Sequence, residues 1–129
     1  MRRILLDTHA LLWFIADSGG SLGPKALAVI VAPENRIYVS AASTWEISIK
    51  CALGKLEAPR DMDTVVGEKS FLKLPIALAH GDRAGALPPL HNDPFDRMLI
   101  AQSQMEGLEL MTSDQKIRQY PVACVDPTR

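Results

Sequence analysis

Apolar and polar positions along this chain switch repeatedly between a strand-like and a helix-like period. Ile4–Leu6 is a short apolar run ending in Asp7, the pattern of a buried strand. Thr8 then caps a helix running to about Ala16, with Leu11, Leu12 and Ile15 at helical spacing. The stretch "DSGGSLGP" is a turn, and Pro24 opens a second helix, Lys25–Val31. "RIYVS" (36–40) alternates and is rich in β-formers, which predicts a second strand. "STWEISIKCALGKL" follows as an amphipathic helix, with Trp45, Ile49 and Leu53 on one side and Gly54 near its end. Residues 57–73 are polar and read as a loop leading into a helix around Met62–Phe71. "LKLPIA" is a weak strand, Ala77–Gly85 a helix, and "ALPPLHNDP" a loop. The next helix spans Pro94–Glu106 and stops at Gly107. "LELMTS" (108–113) is a strand, a short helical piece begins at Asp114, and Val122–Val125 is a last strand.

Strands and helices thus alternate throughout, which argues for a parallel sheet covered by helices on both faces. No repeat, low-complexity tract or linker divides the chain, and its 129 residues suffice for one domain with a real core. In open sheets of this kind ligands bind beyond the carboxyl ends of the strands, where the helices begin. Each acid can therefore be asked whether it lies on that edge.

Four do. Asp7 terminates the first strand, Glu46 sits in the first turn of the helix after the second, Asp96 lies in the first turn of the helix after the Pro-Pro loop, and Asp114 follows "LELMTS". Each also has a purely structural reading. Ser43-Thr-Trp-Glu46 fits a capping box. Asp114, with Ser113, can cap a short helix. In "HNDPFDRMLIAQ" Asp93 suits the N-cap, Pro94 the first helical position, and Asp96 the positive end of the helix dipole. Asp7 is harder to explain that way, because a carboxylate ending an apolar strand must be hydrogen-bonded, paired or metal-bound to offset desolvation.

The conjunction carries more weight than any member. Carboxylates that converge repel one another and demand a cation, yet the basic neighbours are few: Lys50 one turn after Glu46, and Arg97 beside Asp96. An oxygen-rich cluster with no histidine or cysteine, as expected here, suits a hard divalent ion, Mg²⁺ or Mn²⁺. Such an ion binds phosphate oxygens and acidifies a water, which favours phosphoester hydrolysis. Thr8, Thr112 and Ser113 are accessory candidates, each equally well explained as a cap; Asp93 is either a cap or a further ligand. Arg97 is a candidate for contacting substrate or pairing with a neighbouring acid. His9 and His91 are candidates for acting on a proton but read first as structural histidines, and Trp13, Trp45, Met98, Leu99 and Met105 as core, with the tryptophans alternatively packing on a second copy.

Bulk properties change little. Net charge is −1, from 14 basic and 15 acidic residues, which neither requires nor excludes nucleic acid. The composition, 47% hydrophobic and 22% charged, is that of a soluble globular protein. Cys51 and Cys124 are too few for a disulfide framework and read as buried thiols of an intracellular protein. Arg2 and Arg3 before an apolar stretch imitate a signal peptide, but Asp7 and His9 interrupt the run; the expected location is the cytoplasm, with no membrane partner.

Taken in order, "LLDTHALLW", "WEISIK", "HNDPFDRMLIAQ" and "LMTSD" resemble the PIN-domain ribonucleases of the VapC toxin type over nearly the whole chain. The resemblance implies a PIN-like three-layer α/β/α fold with a five-stranded parallel sheet, and an acidic pocket holding Mg²⁺ or Mn²⁺. It implies a metal-dependent endoribonuclease that leaves a 5′-phosphate and a 3′-hydroxyl, a VapB-type antitoxin partner, and a homodimer. Asp7, Glu46 and Asp96 match the family's three core acids, and Asp114 a fourth, more variable one. Where many relatives carry one more acid, this chain has Ile117 and Arg118, so a second ion would be weakly held. The alternative is a catalytically weak PIN-like module that binds RNA or a protein. A haloacid-dehalogenase-like phosphatase is disfavoured because its second aspartate would stand where His9 is, and a receiver domain because "RRILLD" lacks paired acids.

Overall fold

The computed structural model describes residues 1–16 and 21–129, so part of the turn expected at 17–24 lies outside the described residues. Five parallel strands, β1 (Arg3–Leu6), β2 (Arg36–Ser40), β3 (Leu72–Leu74), β4 (Glu109–Met111) and β5 (Cys124–Val125), form one sheet in the order β3-β2-β1-β4-β5. The helices are α1 (Thr8–Ile15), α2 (Pro24–Val31), α3 (Ala41–Ala52), α4 (Met62–Glu68), α5 (Leu78–Ala86) and α6 (Pro94–Glu106), with a 3₁₀ turn at Ile117–Gln119. This is the expected α/β architecture with its five-stranded parallel sheet.

β1 shows why the chain becomes three layers. It is buried on both faces, and its alternation sends Ile4 and Leu6 to one side and Leu5 to the other. Ile4 and Leu6 pack with Leu11 of α1, Ala26 and Ile30 of α2, and Met62 and Val66 of α4. Leu5 packs with Leu99 and Ile100 of α6, Leu110, Ile117 and Tyr120. Parallel register is tight beside it: Leu5 faces Tyr38 on β2 and Leu110 on β4. The chain winds outward from β1 in one direction, then returns to its other side at β4. The strand order therefore reverses between β1 and β4, and a crevice opens there beyond their carboxyl ends.

Several boundaries and faces differ from the sequence expectation, each for a local reason. Asp7, not Thr8, is the N-cap of α1; its Oδ1 accepts from the Ala10 N–H at 2.8 Å, which frees the Thr8 hydroxyl for another partner. α3 begins at Ala41, directly after β2, because Ser40 Oγ accepts from the Ala42 N–H. Ser43 is consequently inside the helix rather than its cap, and Glu46 lies in the second turn. The inward face of α3 is Ala42, Ser43, Glu46 and Ile47, while Trp45 and Leu53 are exposed. The small residues allow α3 to lie close to α1 and α6, and the Trp45–Ile49–Leu53 stripe turns outward. Trp45 and Met105 are therefore not core residues, whereas Leu99 is fully buried. The two cysteines are free and only half-buried.

α6 matches its expected bounds. Asp93 Oδ1 caps it by accepting from the N–H groups of Phe95 and Asp96, and Gly107 ends it at φ 68°. That left-handed conformation is one a side chain adopts only at a cost. Among the described residues no helix is long and apolar enough to cross a membrane.

Candidate metal centre

The β1–β4 crevice is built from the chain that leaves those two strands. The Asp7 N–H donates to Met111 O at 3.1 Å, and the Thr112 N–H to Val125 O at 3.0 Å, so the sheet ladder continues one residue past both strands. Asp7 is thereby buried beside Thr112, whose side chain hydrogen-bonds its carboxylate. Burial raises the pKa of Asp7 above the usual carboxylate range; the hydrogen bonds from Thr112 and Ala10 oppose this, and the charge of Asp114 adds to it.

Asp114 is held by the same turn. Its N–H donates to Thr112 Oγ1 at 3.1 Å, and its Oδ1 accepts from the N–H groups of Lys116 and Ile117. Oδ1 thus closes the turn that leads into the 3₁₀ helix, while Oδ2 lies 3.6 Å from His91 Nε2. Ser113 is exposed and takes no part in this turn.

Asp96 comes from the first turn of α6. Its Oδ2 lies 2.8 Å from His91 Nε2, and its side chain is 21% exposed. Burial, with the nearby charge of Asp93, pushes its pKa up to about 6, although His91 pulls the other way. His91, Asp96 and Asp114 each offer a ligand atom within 4.8 Å of the others. Two carboxylates and an imidazole, with the buried Asp7 close enough to feel the charge of Asp114, are a donor set that fits a small divalent cation. The set suits Mn²⁺ and Mg²⁺ through its oxygens, and the nitrogen leans it toward the transition metal.

Glu46 is placed one step away. Its Oε1 accepts from the Thr8 hydroxyl at 2.6 Å, which also lies 3.1 Å from Ser43 Oγ, and its Oε2 pairs with Lys50 Nζ at 2.8 Å. Lys50 feels the charges of Glu46, Asp93 and Asp96 together, so this one ammonium links Glu46 to the α6 acids. Asp93 serves as the cap of α6; Thr112 is buried beside Asp7.

Two residues change roles. Arg97 neither pairs with an acid nor points to the crevice. Its guanidinium donates to the carbonyls of Ala84, Leu87, Pro88 and His91 at 2.9–3.1 Å, a cage for which its five fixed donors are suited. Tyr120 completes it: the hydroxyl donates to Pro88 O at 2.6 Å and accepts from the N–H groups of Leu90 and His91. The beneficiary is His91, 9% exposed and fixed against the acids by this braced loop. The cluster therefore contains a histidine, contrary to the all-oxygen set expected from the sequence, where His91 read first as structural. The available signal was its position at the end of the Pro-Pro loop, five residues before Asp96.

Four sequence-distant segments thus place acids, a histidine and a lysine on the carboxyl edge of one parallel sheet, and the PIN domain family model matches residues 4–123. The chain belongs to the PIN domain family. The PIN fold is also seen in solved structures. A structure of VapBC2 from Rickettsia felis bound to a DNA fragment from their promoter has a chain similar in fold, with TM-score 0.69 and 13% identity, covering 95% of this chain and 97% of that one. A toxin-antitoxin complex from Klebsiella pneumoniae gives TM-score 0.63 at 20% identity, covering 96% and 97%. DNA-bound VapBC from Salmonella typhimurium gives 0.65 at 19%, covering 98% of each chain. No curated protein matches the sequence. The crevice described above is therefore the site to examine for whatever chemistry this PIN domain performs.

Proposed function

We propose that this PIN domain is a VapC-type toxin: an endoribonuclease that hydrolyses RNA phosphodiester bonds with a divalent ion, Mg²⁺ or Mn²⁺, and is restrained by a VapB-type antitoxin. The observation that carries this reading is the convergence of His91, Asp96 and Asp114 beside the buried Asp7, in the crevice between β1 and β4. The partner reading is supported by the fold neighbours, which were solved as toxin-antitoxin complexes. A homodimer, an RNA target such as tRNA or mRNA, and a cytoplasmic location belong to the same reading.

The residues that would hold the ion are Asp7, Asp96 and Asp114, with His91 beside them. When bound, the ion supplies charge for the scissile phosphate and a water acidic enough to act as nucleophile near neutral pH. The chain itself does the rest. Asp7 is oriented by Thr112 and by the N-terminus of α1, so its carboxylate enters the site in one conformation. Asp96 and Asp114 are fixed at helix or turn starts, and a desolvated carboxyl pushed up to about 6 is a group that gains from a cation. Glu46 contributes as a fixed negative charge, set by Thr8 and shared with Lys50.

The test is cleavage of a labelled mixed RNA pool with Mn²⁺ or Mg²⁺, alongside EDTA and the Asp7→Asn variant. Loss of cutting in both controls supports the reading. No cutting and no Mn²⁺ binding by calorimetry would return the acids to the role of helix caps. Cutting that survives EDTA and Asp7→Asn together would refute the site assignment.

A further inference from the structure

Lys50 reaches back one helical turn to Glu46, and the two ends of this pair are unequally buried. The Glu46 side chain is 8% exposed and the Lys50 side chain 43%. Both Glu46 oxygens already have a donor: the Thr8 hydroxyl meets Oε1 at 2.6 Å, and Lys50 Nζ meets Oε2 at 2.8 Å. Among the described residues Glu46 also stands outside the group of His91, Asp96 and Asp114, whose ligand atoms lie within 4.8 Å of one another. A carboxylate so placed is a mount for an ammonium. An ammonium carries three N–H donors. One goes to Glu46, and the charges of Asp93 and Asp96, at the start of α6, act on Lys50 as well.

We propose that Lys50 is a substrate-contacting residue: its ammonium, mounted on Glu46, donates to an oxygen of the RNA phosphate brought to the neighbouring acids. Glu46 is then a positioning residue for Lys50 rather than a ligand of the ion. The proposal rests on the RNA-nuclease reading above. Three physical points support it. First, a phosphodiester approaching Asp7, Asp96 and Asp114 meets charge of its own sign, so a cation fixed beside them lowers the cost of approach. Second, the other basic side chains nearby are committed elsewhere. Arg97 spends its guanidinium on four loop carbonyls. Arg118 donates to the Thr112 carbonyl, and the groups that feel its charge are Cys124 and Asp126, toward β5. Third, a lysine on a free four-carbon stem loses rotamer freedom when it grips a phosphate, whereas one already held by a buried carboxylate has lost it beforehand. The hydrogen bond to Glu46, with the charges around it, also raises the pKa of Lys50, so the ammonium stays charged at neutral pH. As a helix brace alone, an exposed pair at this spacing contributes little.

The experiment compares Lys50→Met, Lys50→Arg and the parent, each in an Asp7→Asn background to prevent cleavage. Binding of an unstructured RNA oligonucleotide is measured by fluorescence anisotropy at fixed Mn²⁺ over a series of KCl concentrations. Mn²⁺ binding is measured by calorimetry with Asp7 intact. A Glu46→Gln/Lys50→Met double variant is carried in parallel, because it leaves no unpaired buried carboxylate if Lys50→Met alone fails to fold. The expected result for Lys50→Met, and for the double variant, is a loss of about tenfold in RNA affinity. The slope of log affinity against log salt should become shallower by about 0.7, the signature of one lost phosphate contact. Lys50→Arg should keep the slope, because charge sets counterion release, and Mn²⁺ affinity in Lys50→Met should hold or rise once a cation leaves the acids. An unchanged slope in Lys50→Met and the double variant would overturn the contact and assign the ammonium to neutralising Glu46, while the nuclease reading stands. Equal slope losses in Lys50→Arg and Lys50→Met, or a tenfold fall in Mn²⁺ affinity in Lys50→Met, would also overturn it. Failure of the parent to bind any RNA while Mn²⁺ still binds would defeat the RNA reading itself, and the contact with it.

Discussion

Replacing Asp96 by asparagine should stabilise this protein when metal is withheld, although the same change should disable it. The reason lies in the site's electrostatics. Asp96 is desolvated beside Asp93 and Asp114, and its pKa is raised from 3.8 to about 6. A carboxyl with a raised folded-state pKa holds its proton more tightly in the folded than in the unfolded chain. Between pH about 4 and about 6 the folded state therefore binds the extra proton, and its stability falls as pH rises through that window. Above about pH 6 the full penalty applies, and the shift corresponds to about 3 kcal/mol. An asparagine amide removes the charge but is still a partly buried polar group, costing about 1 kcal/mol, so the net gain expected at pH 7–8 is about 2 kcal/mol. Below about pH 4 the gain should give way to a deficit of about 1 kcal/mol, because Asp96 is then neutral in both states and only the cost of the buried amide remains. The assay is urea denaturation of Asp96→Asn and the unchanged protein in EDTA, at intervals from pH 4 to 8, with the difference plotted against pH. Excess Mn²⁺ should reverse the order, since an ion at about 100 times its Kd adds about 2.7 kcal/mol to the protein that binds it. A difference that is flat with pH, or an Asp96→Asn protein less stable in EDTA at pH 7, would refute the account of the site as a set of repelling acids awaiting a cation.

Asp7→Asn should lower RNA cleavage by at least about 100-fold, a barrier increase of about 2.7 kcal/mol, while circular dichroism and the metal-free melting temperature stay the same or rise, because burial already disfavours the Asp7 charge. Arg97→Ala should cost about 2–4 kcal/mol by urea denaturation, since four carbonyls lose a charged donor; Arg97→Lys should recover little of it, because an ammonium cannot reproduce the fork, and Mn²⁺ affinity should fall in both as the His91 loop loosens. Ser40→Ala should destabilise by about 2–3 kcal/mol, for it removes the cap of α3 and leaves the fully buried Gln102 Oε1 without its donor at 2.6 Å; a loss below about 0.5 kcal/mol would show that water reaches that oxygen.

Most of the sheet and much of the site edge were legible in the linear chain. The strands around Ile4–Leu6 and 36–40, the bounds of α6, its Asp93 cap and its Gly107 stop all follow from interactions among residues a few positions apart. Such contacts are satisfied by the chain's own neighbours, whatever surrounds them. The alternation of strand and helix then dictated a parallel sheet, and hence the edge on which Asp7, Asp96 and Asp114 gather. Local rules failed where two local solutions competed. Ser40 and Ser43 can each cap the helix after β2, and the choice of Ser40 is tied to Gln102, 62 residues away. Thr8 can cap α1, but Glu46, 38 residues on, takes its hydroxyl. The same limit hid His91, Arg97 and Trp45. An isolated histidine, an arginine beside an acid and an apolar helical position each have an ordinary local meaning; their roles here depend on what the fold brings against them. The backbone amides at a helix end find their partners within a turn, so sequence determined the elements and the edge. Strand order and the packing of α3 between α1 and α6 decide which distant side chains share a crevice and which faces stay in water, and only the tertiary structure could set those.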